Sequence, residues 1–243
     1  MKADVKKSSQ PSSPVPRRRI LVVDDHPLMR EGVARWVERA PDLEVCGEAD
    51  NAAAGLAMAG KLKPDLILID LSMPGRSGLD FIRDLHARHP ELLVLVLSMH
   101  DEVLYAGRVL RAGARGYLMK GVGGSHVVKS IRDVLDGRIA VSPKMMSQLL
   151  QEMSTPPSPG SHAEWPRLSD REFEILQLLG EARSTREIAE QLRLSPKTVE
   201  SHRLRLMRKL NLKSSAELFR YAILSRQGQP AQAPENPDGK AGD

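Results

Sequence analysis

The chain has 243 residues, of which 41% are hydrophobic and 3% aromatic, with a formal net charge of +5. That length accommodates one large domain or two small ones with a sizeable core. No apolar run approaches the ~18 residues of a membrane span, and no signal-type apolar block follows the basic start, so a membrane protein and a secreted one are both disfavoured.

Cys46 is the only cysteine and cannot form an internal disulfide, which fits a reducing cytoplasm. Its apolar surroundings predict a buried strand residue. Charge is unevenly spread. Residues 1–19 carry six Lys/Arg against one Asp, residues 20–142 carry 15 basic against 17 acidic, and residues 167–226 carry 13 against 8. A slightly acidic first part and a basic last part predict two domains, the second facing a polyanion.

Residues 1–18, rich in Ser, Pro, Lys and Arg, read as a disordered basic tail. Residues 20–23 form a short apolar strand ending in Asp24-Asp25. His26-Pro27 then opens a helix with Leu28, Val33, Trp36 and Val37 at helical spacing. Residues 44–49 read as a second strand, and Asn51 caps an Ala-rich helix to residue 62. Residues 66–69, Leu-Ile-Leu-Ile, have the continuous apolar character of a strand buried on both faces, with Asp70 at the carboxyl end. Gly75 and Gly78 make the next loop, a helix covers 79–87, and a fourth strand over 92–97 ends in Ser98. A helix over 102–111 closed by Gly113, a strand over 116–119 ending in Lys120, and a helix over 123–135 follow. Alternating strands and helices of this kind predict an α/β, doubly wound, five-stranded parallel sheet over residues 19–138.

Residues 139–166 read as a linker containing a short helix over 142–153. Beyond it, Ser169, Ser184 and Ser214 are each followed three residues later by Glu172, Glu187 and Glu217, the capping-box spacing of a helix start. Ser195-Pro196 supplies a further start. Residues 167–226 are therefore expected to form a separate all-α, four-helix domain, and residues 227–243 a disordered tail.

Four strand ends carry Asp24-Asp25, Asp70, Ser98 and Lys120. In a parallel sheet these ends converge on one edge, where ligands of open α/β sheets bind. A lone acid there often just opens a turn; the set is far more specific. Two like charges about 4 Å apart repel by roughly 4 kcal/mol at an effective dielectric near 20. Three carboxylates and one lysine leave an excess of negative charge that a divalent cation neutralises, and oxygen donors suit Mg²⁺. An ionised Asp70 beside such an ion is a nucleophile for phosphoryl transfer. Lys120 would stabilise the transferred charge, and the Ser98 hydroxyl would bond a phosphate oxygen.

These residues, with Tyr117 and the run Asp70-Leu-Ser-Met-Pro, resemble a response-regulator receiver domain of flavodoxin-like fold over residues 18–137. The resemblance implies phosphorylation of Asp70 by a sensor histidine kinase. It also implies Mg²⁺ ligation by Asp25, Asp70 and the Ser72 carbonyl, with Asp24 acting through water, and a switch in which Ser98 moves toward the phosphate and Tyr117 swings inward. Two positions depart from the pattern: Met99 stands where many receivers have a small residue, and Gly121 where many have proline. Met99 and His100 are expected to shield the phosphate from water.

In the last domain, a helix over 185–192, a turn at Arg193-Leu194 and a basic helix over 195–210 make helix-turn-helix spacing, in which the second helix enters the major groove. Leu168-Ser169, Glu187-Ile188-Ala189 and the run from Ser195 to His202 resemble the LuxR-type helix-turn-helix of NarL/FixJ-type regulators. This implies phosphate contacts from Lys197, Thr198, His202, Arg203 and Lys209, and base contacts from Glu200, Ser201 and Leu204. His202 is also open to a half-buried packing role. The last helix would form a homodimer contact on promoter DNA with inverted repeats, and the unphosphorylated receiver would mask the recognition helix.

The sequence thus reads as a phosphorylation-controlled transcription regulator and not an enzyme. A Mg²⁺-dependent phosphatase or phosphotransferase on a similar sheet is the first alternative, though no separate general acid or substrate pocket can be identified. A phosphate-independent DNA-binding dimer is the second, and the intact acidic set argues against it.

Overall fold

The structure, a computed structural model, describes residues 16–73, 77–154 and 168–226. Nearly all of both expected tails, Gly75 and residues 155–166 of the linker lie outside the described residues. The first unit runs β1 (Arg18–Val23), α1 (Pro27–Glu38), β2 (Leu43–Ala49), α2 (Ala52–Leu62), β3 (Leu66–Ile69), α3 (Gly78–Arg88), β4 (Leu93–Ser98), α4 (Glu102–Ala112), β5 (Gly116–Met119) and α5 (Gly124–Leu135). The strands are all parallel, in the order β2-β1-β3-β4-β5. The chain reverses direction across the sheet between β1 and β3, which opens a crevice at their carboxyl ends.

Strand residues alternate between two cores. Leu21, Val23, Ile67, Ile69, Val94 and Val96 face one side with residues of α2, α3 and α4. Ile20, Val22, Leu66, Leu68, Leu95 and Leu97 face the other with residues of α1 and α5. Every residue of β3 is buried, as its unbroken Leu-Ile run requires. Helix starts are fixed locally: Asn51, Ser77 and Asp101 accept hydrogen bonds from Ala54, Asp80 and Val103 N–H groups, each cap contributing about 1 kcal/mol. Gly113, at φ 114°, ends α4 in a left-handed turn that a side chain would strain. A Cβ at Gly124 would lie 2.4 Å from the Trp36 ring, so only glycine lets α5 start this close to α1.

Three expectations need correction. β1 begins at Arg18, because parallel pairing with Leu43 is made by backbone whatever the side-chain charge. Leu28 is 84% exposed, since it sits in the first turn of α1 above the core. Cys46 is half-buried, because β2 is an edge strand; that partial burial still pushes its thiol above the usual range.

After α5 the chain returns along β5, where the Tyr117 N–H donates to the Ala140 carbonyl at 2.8 Å. It then enters α6 (Pro143–Ser154), anchored by the Ser142 N–H donating to Glu102 on α4 at 2.7 Å. The second unit comprises α7 (Asp170–Gly180), α8 (Thr185–Leu192), α9 (Pro196–Lys209) and α10 (Ser215–Arg226). Ser169 and Ser184 close full capping boxes with Glu172 and Glu187, and Ser195 caps α9 ahead of Pro196. Phe173, Leu176, Ile188, Val199 and Leu206 are wholly buried between these helices.

Candidate functional site

The pocket residues are held by the backbone ladder continuing past the strands. The Asp24 N–H donates to the Ala49 carbonyl at 3.1 Å, the Asp70 N–H to Val23 at 2.9 Å, and the Lys120 N–H to Ser98 at 2.6 Å. Three strand ends thereby converge. The Lys120 ammonium lies 2.8 Å from Asp24 Oδ2 and 2.8 Å from Asp70 Oδ2. Burial alone would depress this ammonium, but the two carboxylates outweigh it and hold it above the usual lysine range.

Lysine does not satisfy the pocket. Asp70 is 1% exposed, and its Oδ1 has no hydrogen-bond partner; Asp25 Oδ1 also lacks one. Asp24 Oδ1 accepts the His26 N–H at 2.9 Å. Asp24, Asp25, His26 and Asp70 bring their ligand atoms within 4.8 Å of one another, an acidic cluster of the kind in which receiver domains hold Mg²⁺. The fit rests on chemistry present here: a buried, unpartnered carboxylate oxygen among hard oxygen donors.

Ser98 is fully buried at the end of β4, and its Oγ accepts the His100 N–H at 3.3 Å. Tyr117 is fully buried too, donating its hydroxyl to the His100 carbonyl at 2.7 Å; burial raises its phenol well above the usual range. The aromatic is thus in its inward position. Sequence reasoning named His100 only as a shield. The structure makes it a hub: its ring meets Ser72 Oγ at 3.2 Å and stacks on Tyr105 at 4.5 Å. Met99 is 70% exposed and turns outward.

From Tyr105 the contacts cross into the helical unit. Tyr105 meets Phe173 of α7 edge-on at 4.9 Å, and the Arg108 guanidinium lies 4.2 Å over that ring. Arg108 also donates to the Leu168 carbonyl at 3.2 Å and to Asp170 at 2.8 Å. Burial pulls its pKa down to about 10, so it stays charged near neutrality. Arg83 pairs with Asp170, and Ser77 bonds Glu174. A cavity of about 350 Å³ lies in this seam, lined by Ser72, His100 and Tyr105 on one side and Glu174 and Gln177 on the other.

This geometry departs from the expected masking of the recognition helix. The anchoring groups of α4 meet α7, and the outward residues of α9, Lys197, Glu200, Ser201 and Leu204, are exposed. Other candidate readers are engaged within their own unit. Arg203 donates to Thr185 at 2.9 Å and to Glu200 at 2.8 Å, and Lys209 pairs with Glu172 at 2.6 Å. Thr198 shares a hydrogen bond with Ser195 Oγ at 2.8 Å. His202 is half-buried with Nδ1 unpartnered, and burial then neighbouring Arg205 hold its pKa below the usual range. Among the described residues no helix is long and apolar enough to cross a membrane.

A doubly wound sheet with an acidic strand-end pocket, joined to a capped helix-turn-helix, defines a receiver-linked DNA-binding regulator. Residues 20–132 match the response regulator receiver domain, and residues 166–222 match the bacterial regulatory proteins of the luxR family. The chain belongs to the two-component response regulators of the NarL/FixJ and GacA/UvrY group, signalling proteins whose DNA binding and transcriptional control are linked to phosphorylation. It is 37% identical over 205 residues to the response regulator GacA of Pseudomonas viridiflava, covering 84% of this chain and 95% of that one. It is 34% identical over 204 residues to the response regulator UvrY of Escherichia coli K12, covering 84% and 93%. Its fold matches RcsB from Salmonella enterica serovar Typhimurium bound to promoter rprA in the presence of phosphomimetic BeF3⁻, with TM-score 0.63 and 27% identity over 85% of this chain and 98% of that one.

Proposed function

We propose that Asp70 is the phosphoacceptor for a sensor histidine kinase and that its phosphorylation controls sequence-specific binding to promoter DNA. The supporting observation is the Asp70 carboxylate itself, buried, with one oxygen on Lys120 and the other without a partner. The Asp70 carboxylate attacks the phosphorus of a phosphohistidine. A P–O bond forms as the P–N bond breaks, and the electron pair returns to the departing imidazole. Asp25, Asp70 and the Ser72 carbonyl, with Asp24 behind them, would hold Mg²⁺, which when bound would supply positive charge against the phosphoryl oxygens. Lys120 releases Asp70 Oδ2 and pairs with a phosphoryl oxygen, and the Ser98 hydroxyl donates to another.

The signal leaves through residues already in contact. Ser98 turning toward the phosphoryl group gives up the His100 N–H, which frees the His100 ring from Tyr105 and loosens Tyr105 against Phe173. The helical unit then reorients. On DNA, Lys197, Thr198, His202, Arg203 and Lys209 meet phosphates, while Glu200, Ser201 and Leu204 meet base edges. Arg203 and Lys209 exchange their internal partners for phosphate when they bind. RcsB, to which this chain is similar, is seen on a promoter with a phosphomimetic. The reading extends to a homodimer of the phosphorylated chain on inverted repeats, with the exposed Phe219 of α10 in the contact.

The test is acetyl phosphate treatment with Mg²⁺ followed by DNA selection. The wild type should gain phosphate and enrich one site class, and Asp70→Ala should do neither. Equal enrichment by both proteins would overturn phosphorylation control.

A further inference from the structure

We infer that His26 is an additional protein ligand of the acidic pocket and biases it toward borderline transition ions such as Co²⁺ over Mg²⁺. The inference rests on reading the pocket as a metal centre and concerns which ion that centre prefers. His26 Nδ1 lies 3.2 Å from Asp24 Oδ1 and 2.9 Å from Asp25 Oδ1. Ligands at roughly 2.0–2.2 Å from a first-row ion are themselves roughly 3–4.3 Å apart, and the four ligand atoms here all lie within 4.8 Å of one another. Asp70 Oδ1, buried and unpartnered, points independently to a missing cation.

The imidazole is where it is because of its chain neighbours. Pro27 at the first position of α1 disfavours helical backbone at His26, which adopts φ −88°, ψ 110°. The His26 N–H is clamped on Asp24, and its side chain makes no capping bond, so the ring turns to the carboxylates. It is also reachable from solvent, being 64% exposed. Mg²⁺ gains little from imidazole, because it prefers hard oxygen and keeps its waters. Co²⁺ and Zn²⁺ gain a strong bond from the same nitrogen. The nearby Lys120 ammonium, by contrast, offers no lone pair.

The test titrates the full chain with Mg²⁺ and Co²⁺ by calorimetry, in wild type, His26→Ala and His26→Asn, with circular dichroism confirming the fold of each. Wild type should favour Co²⁺. Both variants should lose about tenfold in Co²⁺ affinity and keep their Mg²⁺ affinity. In Mn²⁺-loaded protein, electron spin-echo modulation should show directly bound nitrogen in wild type and none in either variant. An unchanged Co²⁺-to-Mg²⁺ ratio overturns the inference while leaving the metal centre intact. Equal tightening of both ions would also overturn it, making His26 a counter-charge that the ion displaces. Failure of every ion to bind wild type would defeat the metal reading itself.

Discussion

The acidic pocket and the recognition helix handle charge in opposite ways. In the pocket, three carboxylates converge on one ammonium and one imidazole, and two carboxylate oxygens have no hydrogen-bond partner. On α9, Arg203 is tied to Glu200 and Thr185, and Lys209 to Glu172. The first site is built with a deficit that a small cation fills. The second holds part of its positive charge in internal pairs, so a polyanion reaching Arg203 or Lys209 would compete with existing partners. One surface is poised for an ion, and the other trades one set of partners for another.

The largest effect should come from removing the Lys120 ammonium from the pocket. Lys120→Met leaves buried carboxylates without their cation and should cost the receiver unit about 3–5 kcal/mol in urea unfolding without divalent ions. Added Mg²⁺ should restore more stability to the variant than to wild type. Equal responses would mean the lysine is not what makes the apo pocket tolerable. Next in size is the seam. Arg108→Ala removes the cation over Phe173 and the partner of Asp170, and small-angle scattering should show a larger radius of gyration with the receiver fold unchanged.

On the DNA side, Lys209→Ala should weaken binding to all sequences alike and reduce the salt slope by about one. Glu200→Ala should change site preference instead. An unchanged slope for Lys209→Ala would confine that lysine to bracing Glu172. The smallest effect concerns Glu172. Burial raises its pKa, but bonds from Lys209 and Ser169 more than offset this, and the folded value is lowered from the ordinary 4.5. A lowered carboxylate pKa means stability that is complete above the unfolded value and is lost as pH falls through the folded one. Thermal melts of wild type and Glu172→Gln should therefore differ near neutrality and converge as pH falls below the ordinary carboxylate range.

Much of this was legible from residues alone. β3 and β5 fall at their expected bounds because Pro64-Asp65, Asp70, Gly116 and Lys120 interrupt short apolar runs. The pocket was legible because a parallel sheet gathers strand ends, whatever the loops do. His26 escaped notice, since strand position says nothing about where a helix N-cap turns its ring. The seam was also invisible. Arg108 and Asp170 are 62 positions apart, and no local pattern couples them. Leu28 misled because helical spacing does not say which turn rises above the core.

The apolar cluster on the α2–α4 side of the sheet does not stop at the receiver. It runs on through Tyr105 into Phe173, Leu176, Val199 and Tyr221, whereas the cluster under α1 and α5 is closed on itself. Two units that share one continuous interior do not melt independently. A calorimeter should record a single merged heat-absorption peak for the intact chain, which separates into two once Phe173 is cut back to alanine.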